Sequence, residues 1–245
     1  MSKKIIITFI IAVFAIAAMI LLTGCEKNKE ENNTIVNNQV EEKEVVTDEI
    51  DPRKEEMYGE VISNYEKALE EYDLNDLDIE EKIMEKYHIE DTTLLMHLAR
   101  YSKNGIELSK MFYDIDKNGT DELILGASNA MAVIYTFDKN TNKPVFVYAL
   151  DTIERGALAI YDNGIIFSAG SGGATLTVYE YGKMDEKGTS YELLEKIEEE
   201  YTEESEKPEY TDVVTGEKLA YKSLDEIFEK YTSNAKEVSA FGDLR

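Results

Sequence analysis

The sequence predicts an α+β fold: amino-terminal helices packed on an antiparallel, mostly meandering β-sheet, closed by a short carboxy-terminal helix. Three observations carry this expectation. Apolar residues recur at three- and four-residue steps up to about residue 101. From residue 108 to about 201 they alternate, or form short runs between turn signals. Helical spacing then returns near Leu224.

The first helix begins with Asp51 as N-cap and Pro52 at the first helical position, where a missing N–H costs nothing. Met57, Val61, Tyr65, Leu69 and Tyr72 follow as one apolar stripe. A second helix is expected over 77–87, with Ile83, Met84 and Tyr87 inward. A third covers 92–101, with Leu94, Leu95 and Leu98 inward, and Asn104-Gly105 ends it. Strands are expected at 111–115, 122–127, 132–137, 145–150, 157–161, 165–169, 175–181 and 191–198. Asp162-Asn163-Gly164 between two apolar runs is a hairpin turn, and 138–143 forms another. Near the carboxy terminus, Ser223 and Glu226 have capping-box spacing. Leu224, Ile227, Phe228 and Tyr231 then share a face. The helical part 51–104, the β-rich part 108–201 and the tail with its helix, 202–245, fit one domain around one core. The alternative division makes the helices a subdomain of their own.

Ahead of this domain lie two segments of different composition. Lys3 and Lys4 precede an apolar stretch from Ile5 to Leu22, interrupted only by Thr8. Basic, apolar and then small residues are the parts of an export signal. The stretch ends in Leu22-Thr23-Gly24-Cys25, which resembles the lipobox of bacterial lipoproteins. That resemblance implies a signal peptide over 1–24, cleavage before Cys25 and a diacylglycerol thioether on Cys25. An uncleaved membrane anchor is the alternative, because the apolar stretch approaches the ~20 residues that span a bilayer. The lone cysteine falling where a lipobox needs it favours the lipoprotein. Either way Lys3 and Lys4 hold the amino terminus in the cytoplasm, placing the domain on the outer face of the cytoplasmic membrane. Residues 25–50 are polar, rich in Glu and Asn, and free of aromatic residues. Such a segment cannot bury enough apolar surface to fold, so a disordered tether is expected.

With 51 acidic against 26 basic residues, the formal net charge is −25, and loss of Lys3 and Lys4 makes it two units more negative. That excludes nucleic acid as a natural partner and opposes direct binding to anionic lipid. In the lipoprotein reading, the lipid on Cys25 supplies the membrane association that this charge opposes. Because Cys25 is the only cysteine, the domain forms no internal disulfide. An exported domain of this kind relies on its core or on a metal.

One segment carries recognisable chemistry: Asp114-Ile115-Asp116-Lys117-Asn118-Gly119-Thr120-Asp121-Glu122. Oxygen-bearing side chains alternate, then Gly119 permits a sharp turn. Calcium takes six to eight oxygens at about 2.3–2.6 Å. Asp114, Asp116 and Asn118 can supply three, the Thr120 carbonyl a fourth, and Glu122 can close the ring directly or through water. The first half resembles an EF-hand loop. The twelfth position, where that family places its bidentate Glu, is Leu125, and the following residues read as a strand. The whole is closer to the calcium loops that lead into β-strands, as in the FG-GAP repeats of integrin-like propellers. Those families use several copies, and this chain has one. The other reading is a carboxylate-rich turn held by side-chain-to-backbone hydrogen bonds without metal.

Ser171, Gly172 and Gly173 belong to a Gly-rich stretch lacking the endings of a phosphate loop or a nucleophile elbow. It reads as a tight turn, or as a ligand-facing loop with Ser171 exposed. Together, residues 114–125, 161–164 and 168–174 resemble a group of Gram-positive lipoproteins that combine a calcium-like Asp/Asn loop with an Asn-Gly hairpin and a Ser-Gly-rich turn. The resemblance implies an exported, lipid-anchored domain and transfers no activity. His88 and His97 are the only histidines, and their spacing suits no zinc site. Most of the 16 tyrosines are expected to pack within strands and helices; as the second reading, a row of Tyr113, Tyr135, Tyr148, Tyr179 and Tyr181, if exposed, can stack on a glycan or peptide ligand. The expected role is therefore non-enzymatic: a surface-tethered binding or structural module, with calcium at 114–122 and a protein or glycan as ligand. An extracytoplasmic hydrolase or wall-processing enzyme is the alternative.

Overall fold

The computed structural model describes residues 52–128, 130–201 and 207–238. Cys25, the export segment, the tether and Asp51 lie outside the described residues, as do 202–206 and the last seven residues. Among the described residues no helix is long and apolar enough to cross a membrane.

Among the described residues there are four α-helices and ten strands, and the first three helices are α1 (Pro52–Glu71), α2 (Ile79–Tyr87) and α3 (Thr93–Tyr101), the last extended by a single 3₁₀ turn, Ser102–Asn104. Ten strands follow: β1 (Leu108–Tyr113), β2 (Glu122–Ala127), β3 (Ala130–Asp138), β4 (Lys143–Ala149), β5 (Gly156–Ile160), β6 (Ile166–Ser171), β7 (Leu176–Met184), β8 (Tyr191–Glu200), β9 (Glu209–Asp212) and β10 (Lys218–Leu219). Helix α4 (Leu224–Thr232) is the last element among the described residues. The fold is α+β, with every strand pair antiparallel.

The meander divides into two sheets. β1 to β4 form a four-stranded sheet in sequence order, and β5 to β10 a six-stranded sheet, also in sequence order. The break falls at residues 150–155, between β4 and β5, where Leu150 and Ile153 are buried but no strand period holds. The sheets meet where β3 lies against β5.

Two apolar cores follow from this division. The larger joins α1–α3 to the four-stranded sheet and reaches Leu158, Ile160 and Ile166 of the other. In α1 the buried residues are Tyr58, Ile62, Tyr65 and Ala68, while Met57, Val61, Leu69 and Tyr72 of the expected stripe pack half-buried against the same core. Tyr58 decides the phase. Its ring packs 5.9 Å from Phe112 and 6.1 Å from Phe137, and its hydroxyl donates to the Asp121 carbonyl at 2.7 Å. In α2, Ile83 and Tyr87 are buried but Met84 is exposed, while in α3 Leu94, Leu95 and Leu98 are all buried. The smaller core lies between the six-stranded sheet and α4. There Phe167 packs tilted against Tyr181 and Phe228, each at 5.0 Å, Tyr181 meets Phe228 edge to face, and Tyr231 stacks on Tyr181 at 4.6 Å.

Ser223 has the extended backbone of an N-cap, but its side chain makes no capping bond. Glu226 supplies half of a capping box one residue early, accepting from the Lys222 N–H at 3.0 Å. The tyrosine row is corrected as well. Tyr135, Tyr179 and Tyr181 are core residues at 3%, 7% and 0% exposure: Tyr135 lies on β3, buried along most of its length, and Tyr179 and Tyr181 share the face of β7 that packs in the smaller core. No exposed stacking platform forms from that row.

Candidate metal centre

The acidic loop joins β1 to β2. β2 is an inner strand, buried at every position. Its first residue, Glu122, therefore enters the core with no exposed surface. Its carboxylate is pinned on both oxygens: the Ile115 N–H donates to Oε2 at 2.8 Å and the Thr136 hydroxyl to Oε1 at 3.1 Å. Burial, and then the charges of Asp116 and Asp114, push its pKa from 4.5 up to about 8, with the two hydrogen bonds opposing the shift.

The turn itself is built from side-chain-to-backbone bonds. Asp116 Oδ1 accepts from the Asn118 N–H at 3.1 Å, and Asn118 Oδ1 from the Thr120 N–H at 2.8 Å. Asp114 Oδ2 accepts from the Gly119 N–H at 3.0 Å. Asn118 Nδ2 donates to Asp116 Oδ2 at 2.8 Å, which fixes the rotamer of that carboxylate. Gly119 adopts φ +81° and Lys117 φ +62°. The left-handed Lys117 is held by its own ammonium group, which donates to the Tyr113 hydroxyl and the Asp114 carbonyl at 2.9 Å each. Outside the turn, Lys54 of α1 pairs with Asp121.

This folding brings one oxygen each of Asp114, Asp116 and Glu122 within 4.8 Å of one another. That is about twice a calcium–oxygen distance, so one ion can touch all three. Asp114 Oδ1 is buried and accepts no hydrogen bond. The Thr120 side chain is also buried, and its hydroxyl has no partner. Three carboxylates, one of them fully buried, form an oxygen-rich, anionic set suited to a hard divalent cation. Asn118 serves here as a brace for Asp116 and a backbone acceptor.

Two hairpins of the other sheet close on this loop. A Cβ on Gly164, in the β5–β6 turn, would stand 3.1 Å from the Ile115 carbonyl. Gly188, in the β7–β8 turn, is buried against Asp116 and Asn118. Neither contact has a sequence signal beyond the turn preference of glycine.

The remaining candidates sit elsewhere. Ser171 ends β6, with its hydroxyl taken up by Arg155 Nη2 at 2.8 Å and the Gly173 carbonyl at 2.9 Å. Gly172 lies under Leu176, and its N–H donates to the Leu176 carbonyl at 3.0 Å, as in a tight β6–β7 turn. His97 packs on Tyr101 within α3, and burial holds its imidazole below the usual range. Two open grooves flank α1. One, of about 360 Å³, includes Ile62, Leu69, Leu108 and Leu125; the other, of about 580 Å³, includes Met57, Phe137, Lys143 and Pro144. Neither contains a residue of the acidic loop.

No family model matches the chain. No curated protein sequence matches it either. Among solved structures the chain is similar to one described as "Structure of a Xanthomonas Type IV Secretion System related protein", at 18% identity and a TM-score of 0.34. The match covers 54% of this chain and 58% of that one.

Proposed function

We propose that this protein is a lipid-anchored, extracytoplasmic binding or structural module whose β1–β2 loop takes a calcium ion. The carrying observation is the convergence of Asp114, Asp116 and the buried Glu122, with Asp114 Oδ1 left without a hydrogen bond. In this reading the ion has a structural task. It replaces the proton that burial otherwise forces on Glu122, and it compensates a charge the core cannot solvate. No covalent step is assigned to the site.

Affinity in the range of extracellular modules, ~0.1–1 mM, is expected. At ~1 mM calcium and a dissociation constant of ~0.1 mM, binding stabilises the fold by about 1.4 kcal/mol. For a domain of this size that raises the melting temperature by about 3–6 °C. The test is a pair of melting curves at neutral pH, in calcium and in chelator. Superimposed curves at millimolar calcium refute the site. The anchor is tested separately by mass spectrometry of the protein from its native membrane. Diacylglycerol on an amino-terminal Cys25 is expected, and a chain still beginning at Met1 with a free thiol overturns it.

A further inference from the structure

We infer that Gly188 is a positioning residue of the cation site: the β7–β8 hairpin forms its outer wall, and only glycine lets that wall close. This deepens the cation reading above and rests on it. The acidic cluster is accompanied by a separate observation, the Thr120 side chain, 6% exposed, whose hydroxyl has no partner; within the cluster, Asp114 Oδ1 is buried and accepts no hydrogen bond.

The hairpin is a rigid object. The Asp185 N–H donates to the Ser190 carbonyl at 2.8 Å and the Gly188 N–H to the Asp185 carbonyl at 2.9 Å. The Asp185 carboxylate accepts from the N–H groups of Thr189 and Ser190 at 2.8 and 3.1 Å. This framework presents Gly188 at φ +67°, buried, with its Cα toward the loop. A Cβ there would fall well inside the van der Waals contact distance to Asp116 Oδ2 and stand 2.8 Å from Asn118 Nδ2. Those atoms bond each other, and that bond fixes the Asp116 carboxylate among the three acids. Any side chain at 188 must therefore displace Asp116 or lift the hairpin.

The contact also joins the two sheets. Asp116 lies between β1 and β2 of the four-stranded sheet, and Gly188 between β7 and β8 of the six-stranded one. An ion that orders Asp116 thereby orders the surface on which the hairpin rests. Calcium occupancy should slow hydrogen exchange at 185–190, outside the loop that holds the ion.

The experiment compares Gly188→Ala with Gly216→Ala in the purified protein. Gly216, in the β9–β10 turn, has φ +72°, and a Cβ there meets nothing within 4 Å. Both variants carry the same kind of backbone strain, but only the first reaches Asp116. Calcium affinity is measured by titration calorimetry after chelator treatment. Gly188→Ala is expected to weaken binding by about tenfold or more, as loss of an outer-shell support does, while Gly216→Ala binds as the wild type does. Equal affinity of Gly188→Ala and wild type overturns the inference and leaves the cation reading standing. A wild type that takes up no calcium overturns both. If Gly188→Ala does not fold, wild-type hydrogen exchange decides. Slower exchange at 185–190 with calcium supports the inference, and unchanged exchange in a calcium-binding protein overturns it.

Discussion

Glu122→Gln should change how stability depends on pH in the absence of calcium. The carboxyl titrates near 4.5 when exposed and near 8 in the fold. Its folded-state pKa is raised, so between these values the folded chain holds a proton that the unfolded chain has released. Stability must then fall as pH rises through this window, at about 1.4 kcal/mol per unit. From pH 5 to pH 7 the loss attributable to Glu122 is about 3 kcal/mol, or about 6–12 °C in melting temperature. Glutamine removes the titration but preserves the contacts. Its amide oxygen can accept from the Ile115 N–H, and its NH₂ can donate to the Thr136 hydroxyl. The assay is thermal melting in chelator at closely spaced pH values. Other carboxylates titrate in both proteins, so the difference between the two curves isolates Glu122. Glu122→Gln should gain on the wild type steadily from pH 5 to pH 8. Saturating calcium should abolish most of that gain, because the ion favours the ionised carboxylate that glutamine cannot supply. Parallel curves in chelator would show that Glu122 ionises inside the fold without penalty, and the charge argument for a cation would go with them.

Two further outcomes test the packing. Gly182, buried on β7 beside a register shift, lies under the Tyr191 ring so closely that a Cβ would overlap it; Gly182→Ala should cost about 1–3 kcal/mol in chemical denaturation, and a neutral result would place Tyr191 elsewhere. Tyr181 is fully buried with an unpartnered hydroxyl. Tyr181→Phe should therefore be neutral or stabilising by up to about 1 kcal/mol, and a clear loss would reveal a partner for the hydroxyl.

Where local pattern determined the outcome, the sequence was legible. The Leu123-Ile124-Leu125 run placed β2 at Glu122–Ala127, and the spacing of Leu94, Leu95 and Leu98 placed the buried face of α3. What escaped depends on long-range contact. Met57 and Tyr58 both continue a three-to-four repeat, and only the Asp121 carbonyl and the Phe112 and Phe137 rings select Tyr58. β9 is Glu-Tyr-Thr-Asp, with Tyr210 its single buried residue, so it has almost no alternation to read. The division into two sheets is set by residues 150–155, which carry no strand period. For the site, alternating oxygens located the loop, and Asp114, Asp116 and Glu122 converge in it. The depth of Glu122, the Thr136 hydroxyl beneath it and the Gly188 wall all come from strands and turns that only the folded sheets bring together.

The two sequence readings of that loop, a calcium site and a hydrogen-bonded turn, are not rivals once the donors are counted. The turn bonds exist, and they leave the carboxylates under-used. Three carboxylates offer roughly twelve lone pairs. Among the described residues five donors reach them: the N–H groups of Ile115, Asn118 and Gly119, the Asn118 amide and the Thr136 hydroxyl. A turn that needed only to fold could use Asn or Ser at these positions, satisfy the same N–H groups and avoid packing negative charge into a buried corner. The hydrogen bonds instead hold charged groups at a fixed separation, with surplus acceptors facing one another. In the proposed site that arrangement is preorganisation: the entropy of gathering the ligands is spent on folding, and the ion meets a formed cage. The same logic explains why one loop can suffice where calcium-loop families use several. Its walls come from both sheets, so in the proposed site a single ion would act on the junction between them.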